Sequence, residues 1–262
     1  MATWLWETDL IKNDMDHTIQ FIKERQIQTV YLQYHSQIQN STYKKFIAAV
    51  NKMGVHVYAL DGGSDWGMTN QEKEKQFLNR FIDYQTSAQK KEQFQGIHLD
   101  VEPYLLDDWK TNQDERVLQY QSLIVRMKEA AKHMNTRLGV DIPFWYDKVL
   151  FKNENGHGIL SQWVIQNVDE ITVMAYRNFA RGKNGIIDIS TKEVEWAEQE
   201  GKRIYIAVET KELPEEHTSF YGKDIHTLSE ELEIVTSHFD KRISGIAIHH
   251  FNSWQKFIHD QE

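Results

Sequence analysis

The sequence predicts an α/β protein, a single (β/α)8 TIM barrel spanning residues 1–262. Three observations lead there. Eight short runs rich in β-branched and aromatic residues recur along the chain, amphipathic segments of helical length separate them, and 262 residues is the size such a barrel needs. Strict alternation of strand and helix implies parallel pairing through right-handed crossovers. A doubly wound open sheet is the competing fold, but no glycine-rich phosphate loop follows the first strand. No internal repeat, low-complexity tract or linker divides the chain.

The strands are expected at 3–7, 29–35, 55–61, 95–102, 137–143, 170–176, 203–209 and 244–250. Helical patterns fall at 43–53, 70–89, 115–134, 160–168, 192–201 and 228–239. Gly54 and Gly201 stand where helices of this kind end, and Ser190-Thr191-Lys192-Glu193 has the spacing of a capping box. The Lys- and Glu-rich stretches 71–75 and 193–200 read as solvated faces.

Composition narrows the function. The content is 40% hydrophobic and 12% aromatic, that of a folded protein with a sizeable core. A net charge of -9 without a dense basic cluster argues against nucleic acid and anionic membranes as partners and favours a neutral or cationic ligand. No apolar run is long enough to span a membrane. With zero cysteines there are no disulfides or thiolate metal ligands, and bacterial surface proteins often share that trait. Met1-Ala-Thr-Trp-Leu-Trp-Glu7 lacks the pattern of a signal peptide, so the cytoplasm is the default compartment, with export compatible with a trimmed leader. The oligomeric state is left open.

The fourth strand carries the chemistry. In Gln95-Gly96-Ile97-His98-Leu99-Asp100-Val101-Glu102-Pro103-Tyr104, alternation puts His98, Asp100 and Glu102 on one face and Ile97, Leu99 and Val101 on the other. A barrel strand covered on both faces should be apolar throughout, so an inward polar row costs stability and needs a reason. A hydrogen-bonded polar ladder is the purely structural one. The other strand ends would deliver Trp6, Glu7, His35, Asp61, Asp141, Phe144, Trp145, Tyr176, Arg177, Asn178, Glu209, His249 and Trp254 to the same rim. Aromatic faces stack on sugar rings while carboxylates and amides bond hydroxyls, so the mixture suits a carbohydrate ligand.

These residues resemble the signature of glycoside hydrolase family 18, the chitinase and endo-β-N-acetylglucosaminidase family, D-G-x-D-x-D-x-E. Gly96, Asp100 and Glu102 match it, while Gln95 and His98 replace its first two aspartates. Met174-Ala175-Tyr176 is similar to the family's M-x-Y on the sixth strand, with Arg177 where an aspartate usually follows. Gly62-Gly63 resembles the paired glycines after the third strand, and Trp254 lies where a tryptophan floors the sugar site. The resemblance implies a retaining glycosidase that needs no cofactor. Glu102 would protonate the leaving oxygen while the substrate's N-acetyl group attacks the anomeric carbon. Asp100 would orient that group and Tyr176 would bond its carbonyl, with His98, Asp61, Trp6, Trp145, Arg177, Asn178, His249 and Trp254 as substrate-binding residues.

Three alternatives stay open. Glu209, ending an apolar seventh strand, could act as the nucleophile opposite Glu102, or form an ion pair with Lys211 or Arg177. His98, Asp100 and Glu102, with Asp61, Asp141, His249 or His250, could build a metal site, although adjacent His249 and His250 should point to opposite faces and the leading reading includes no metal. A barrel with half its acidic signature replaced could also bind glycans without cleaving them.

Overall fold

The computed structural model describes residues 1–68 and 72–261. The start of the segment expected to be helical at 70–89, and Gln71 of the charged stretch, lie outside them in part. Ten strands and nine α-helices are formed by the described residues. The strands are β1 (Ala2–Leu5), β2 (Thr29–Gln33), β3 (His56–Asp61), β4 (Gly96–Leu99), β5 (Arg137–Pro143), β6 (Leu150–Asn153), β7 (Gly156–Ile159), β8 (Glu170–Met174), β9 (Arg203–Glu209) and β10 (Gly245–His249). Eight of them close a parallel barrel in the order β1-β10-β9-β8-β5-β4-β3-β2, so all eight expected strands are present and pair as expected. β6 and β7 form a separate antiparallel hairpin after the fifth barrel strand.

The helices are α1 (Asp9–Asn13), α2 (Met15–Glu24), α3 (Asn40–Asn51), α4 (Glu72–Ser87), α5 (Gln113–His133), α6 (Leu160–Asn167), α7 (Ile186–Gln199), α8 (Ile225–Phe239) and α9 (Phe251–His259). Gly54 and Gly201 take positive φ just past α3 and α7, as helix-terminating glycines do. The expected capping box is corrected. α7 begins at Ile186, so Ser190 and Glu193 sit in its interior, buried against the barrel. The solvated-face reading fails at the same residue and at Glu74, which is buried and held by Arg126 through bonds of 2.7 and 2.8 Å. No described helix is long and apolar enough to cross a membrane.

Two hydrophobic layers result. Outward strand residues pack on the helices, while Ala2, Trp4, Tyr31, Tyr58, Leu60, Tyr205, Ala207 and Ala247 fill the barrel's interior. Below them Arg203 donates to the Tyr205 hydroxyl at 2.8 Å and pairs with Glu170 at 3.2 Å, so the lower interior is closed by a compensated charge. One interior position depends on its neighbour. His98 is fully buried and stacks on Tyr31 at 3.6 Å between ring centres. On the adjacent strand, a Cβ added to Gly139 would lie 2.7 Å from His98 Nδ1. The imidazole occupies the volume that glycine leaves.

Gly139→Ala should therefore lower stability by about 1–3 kcal/mol in urea unfolding, through overpacking against the ring. In a His98→Ala background the same change should cost much less; strictly additive effects would contradict the steric account.

Candidate active site

β4 ends at Leu99, three residues short of the expected boundary, so Asp100 and Glu102 leave the strand as it reaches the rim. The loop after β3 closes on this turn. Asp100 N–H donates to the Asp61 carbonyl at 3.2 Å, and a Cβ on Gly62 would stand 1.9 Å from the Asp100 carbonyl oxygen. Only glycine permits that approach. Gln95, by contrast, precedes the strand at the other end of the barrel. Glu102 lies seven positions further on, roughly 23 Å of extended chain, so Gln95 does not reach the rim.

Beneath the rim, Asp141 of β5 meets His98. His98 Nε2 lies 2.7 Å from Asp141 Oδ1, and the Trp4 indole N–H donates to Oδ2 at 2.8 Å. Burial drives the imidazole toward neutrality, down to about 3. Nδ1 has no partner among the described residues. A bare lone pair costs less than a stranded N–H, so the proton belongs on Nε2, where it is donated to Asp141. His98 touches no solvent and so does not contact substrate, which corrects its expected binding role: it orients Asp141. Asp141, expected at the rim, is instead buried beneath it within β5, because the barrel register sets it against His98.

Above this unit, Asp100 is half-buried, with Oδ1 buried and unpartnered among the described residues. Burial raises its pKa well above the carboxylate range, and Asp141 and Glu102 add to that while His249 opposes it. Burial also raises Asp141 well above that range, against the Trp4 bond and His249. Glu102 is half-buried at the mouth and accepts a hydrogen bond from the Tyr104 hydroxyl at Oε1. Trp145 packs edge-on against Tyr104 at 5.0 Å. Asp61 accepts from Gly62 N–H at 2.9 Å and lies 3.8 Å from Arg80; burial nonetheless lifts it to about 6.

On the opposite side, β9 and β10 pair Glu209 with His249. Glu209 Oε1 accepts the Thr210 and Lys211 N–H groups, both at 2.7 Å, and Oε2 accepts His249 Nδ1–H at 2.6 Å. Its oxygens are thus engaged and buried, so the geometry makes it the anchor of His249 instead of a nucleophile or a side-chain partner of Lys211 or Arg177. The His249 ring packs edge-on to Trp4 at 5.2 Å and lies 5.9 Å from Tyr176. Tyr176 and Trp6 cap the interior cluster from above. His249 and His250 do not alternate as strand neighbours, since their rings lie 5.1 Å apart.

Three expected binding residues are placed otherwise or at the edge. Trp254 is buried on α9, edge-on to Phe21 at 5.4 Å, and lines a cavity of about 390 Å³ on the helical flank with Ile246 and Ile248; it does not floor the rim. The Asn178 amide donates to the Glu216 and Ser219 carbonyls at 2.9 and 2.8 Å and ties down the loop after β9. Arg177 lies over Phe144 at 5.0 Å, at the edge of the rim. Among the described residues no group of three or more histidine, aspartate or glutamate side chains is arranged to hold a metal ion.

No family model matches the sequence, and no curated protein matches it. Solved structures do. A GH18 chitinase from Pseudoalteromonas aurantia is 13% identical with a TM-score of 0.60, covering 100% of this chain and 99% of its own. The Group IV chitinase of Ostrinia furnacalis, in complex with allosamidin, is 10% identical with a TM-score of 0.62, covering 96% and 92%. Catalytic domain 2 of the Ostrinia furnacalis Group II chitinase, an E2180L mutant in complex with penta-N-acetylchitooctaose, is 13% identical with a TM-score of 0.51. There the match covers 80% of this chain and 63% of that one. The likeness is one of fold: this chain shares the barrel of GH18 chitinases.

The two histidine environments, one beneath the rim and one at it, have opposite signs. His249 is raised above its ordinary value, burial being outweighed by Glu209 with Asp100 and Asp141, so its stabilising contribution is complete below about 6.5 and is lost as pH rises through the folded value. His98 is depressed, so it costs stability as pH falls from about 6.5 toward its folded value. Proton–nitrogen NMR should show His98 neutral throughout that range, and Glu209→Gln should lower the His249 titration; an unchanged His249 would sink the anchoring role.

Proposed function

We propose that this barrel is a glycoside hydrolase acting on an N-acetylated glycan by a retaining, substrate-assisted mechanism. The observation that supports it most is the meeting of two carboxyls at one strand end: Glu102 at the mouth, with one oxygen held by Tyr104, and Asp100 beside it, with Oδ1 buried. With Oε1 engaged by Tyr104, Glu102 presents Oε2 to the leaving oxygen and delivers its proton there. The acetamido carbonyl oxygen then bonds the anomeric carbon as the glycosidic bond breaks. Asp100 orients the acetamido N–H and Tyr176 bonds its carbonyl. Water subsequently attacks the anomeric carbon, gives its proton to Glu102 and restores the N-acetyl group. Stacking on Trp6 and Trp145 would hold the sugar faces.

The replaced aspartate at His98 is the main departure from the family signature. Asp141, brought in from β5 and fixed by His98 and Trp4, puts a second carboxyl back beneath Asp100. That favours an active enzyme over a binding barrel. The fold shared with chitinases, one of them bound to a chitin oligomer, fits the same substrate class.

With 4-methylumbelliferyl chitobioside, Glu102→Gln should lower kcat by about 10²–10⁴-fold, while dissociation constants for chitooligosaccharides change only a few-fold. Glycosides lacking the acetamido group should not turn over. Undiminished turnover in Glu102→Gln would remove the general acid, and wild-type binding without cleavage would make this a glycan-binding protein.

A further inference from the structure

We propose that the glycan bound at this rim carries a carboxylate, received by Arg177 and His249. This inference rests on the carbohydrate reading above and narrows its substrate class. Arg177 follows Tyr176 where the family signature has an acid, so the sign of the side chain is reversed at that position. Its guanidinium is half-buried and stacked on Phe144. Nη1 donates to the Tyr176 carbonyl at 2.6 Å, and Nε is buried with no partner among the described residues. The arginine ion pairs formed by described residues use Arg80, Arg116, Arg126, Arg203 and Arg242, not Arg177. Glu215 is the acid that acts on it, from an exposed loop and without an ion pair to it.

A partly desolvated guanidinium without a carboxylate is expensive to keep, and its planar fork matches a carboxylate well. His249 supplies a second donor at the rim: its ring lies 5.9 Å from that of Tyr176, whose main-chain carbonyl Arg177 bonds. Its Nδ1 is fixed by Glu209, and its ring is partly exposed with no described partner for Nε2. The groups facing His249 are Glu209, Asp100, Asp141 and His250. Burial raises the pKa of Asp100, Asp141 and Asp61, while Glu209 raises that of His249 and Arg177 remains a guanidinium cation. In a chain of net charge -9, the unpaired Arg177 guanidinium and the donor at His249 therefore offer an anion a local site.

The test compares two tetrasaccharides by calorimetry on Glu102→Gln protein, so that neither is consumed. One is chitotetraose; the other alternates N-acetylglucosamine with its 3-O-lactyl ether, with a glucuronate-containing oligomer as a second acidic probe. An acidic ligand should bind roughly 10- to 100-fold more tightly than the neutral one, and the ratio should shrink as salt rises. Arg177→Gln should bring the ratio toward one, and Arg177→Lys should retain part of it. Equal or tighter binding of chitotetraose would overturn the inference and leave the carbohydrate reading standing. Binding of none of the three would overturn both.

Discussion

The hydrogen bond between His98 and Asp141 is the constraint on which the site depends. It joins adjacent strands inside the barrel, beneath the point where β4 gives way to the rim. A buried imidazole and a buried carboxyl each cost stability alone, and together they offset that cost only if the geometry is fixed. Tyr31 stacked on the ring, Trp4 bonded to the far oxygen and Gly139 leaving room beside Nδ1 fix it.

The rim is built outward from that unit. Asp100 stands in a space whose floor is already acidic, and Gly62 presses the β3 loop flush against its backbone. Across the barrel, Glu209 holds His249 by the same device, a carboxylate saturated by neighbouring donors that turns an imidazole toward the cleft. Two carboxylate–imidazole pairs with opposite protonation tendencies thus serve one opening, one from beneath and one from its side. One pair sets the acidity of the floor; the other sets the charge of the wall.

Much of this was legible in sequence. The eight strands announced themselves because each is a short apolar run between helices, and the inward row at His98, Asp100 and Glu102 announced the site. What was not legible depended on contacts between distant elements. Asp141 on its own strand is one polar residue; only the barrel register sets it against His98. Trp254 read as a rim aromatic because it follows the last strand, but α9 begins at Phe251 and turns that side chain to the helical flank. Asn178 read as a free amide until two loop carbonyls claimed it. The hairpin β6–β7 and helices α1, α2 and α9 fell outside the patterns read from sequence, although α2 and α9 are longer than α6, which was read. α7 begins within an isoleucine-rich run, which hid its true start behind a false capping box.

The proposed mechanism is cleavage of glycosidic bonds with the substrate's own acetamido group as nucleophile, driven by Glu102 and Asp100 on the His98–Asp141 floor. Its most direct measurement is proton NMR of chitotetraose with wild-type protein, following the anomeric signals of the first product formed. The β-anomer should form first, equilibrating later with the α-anomer. An α-anomer appearing first, or a spectrum that never changes, would contradict it.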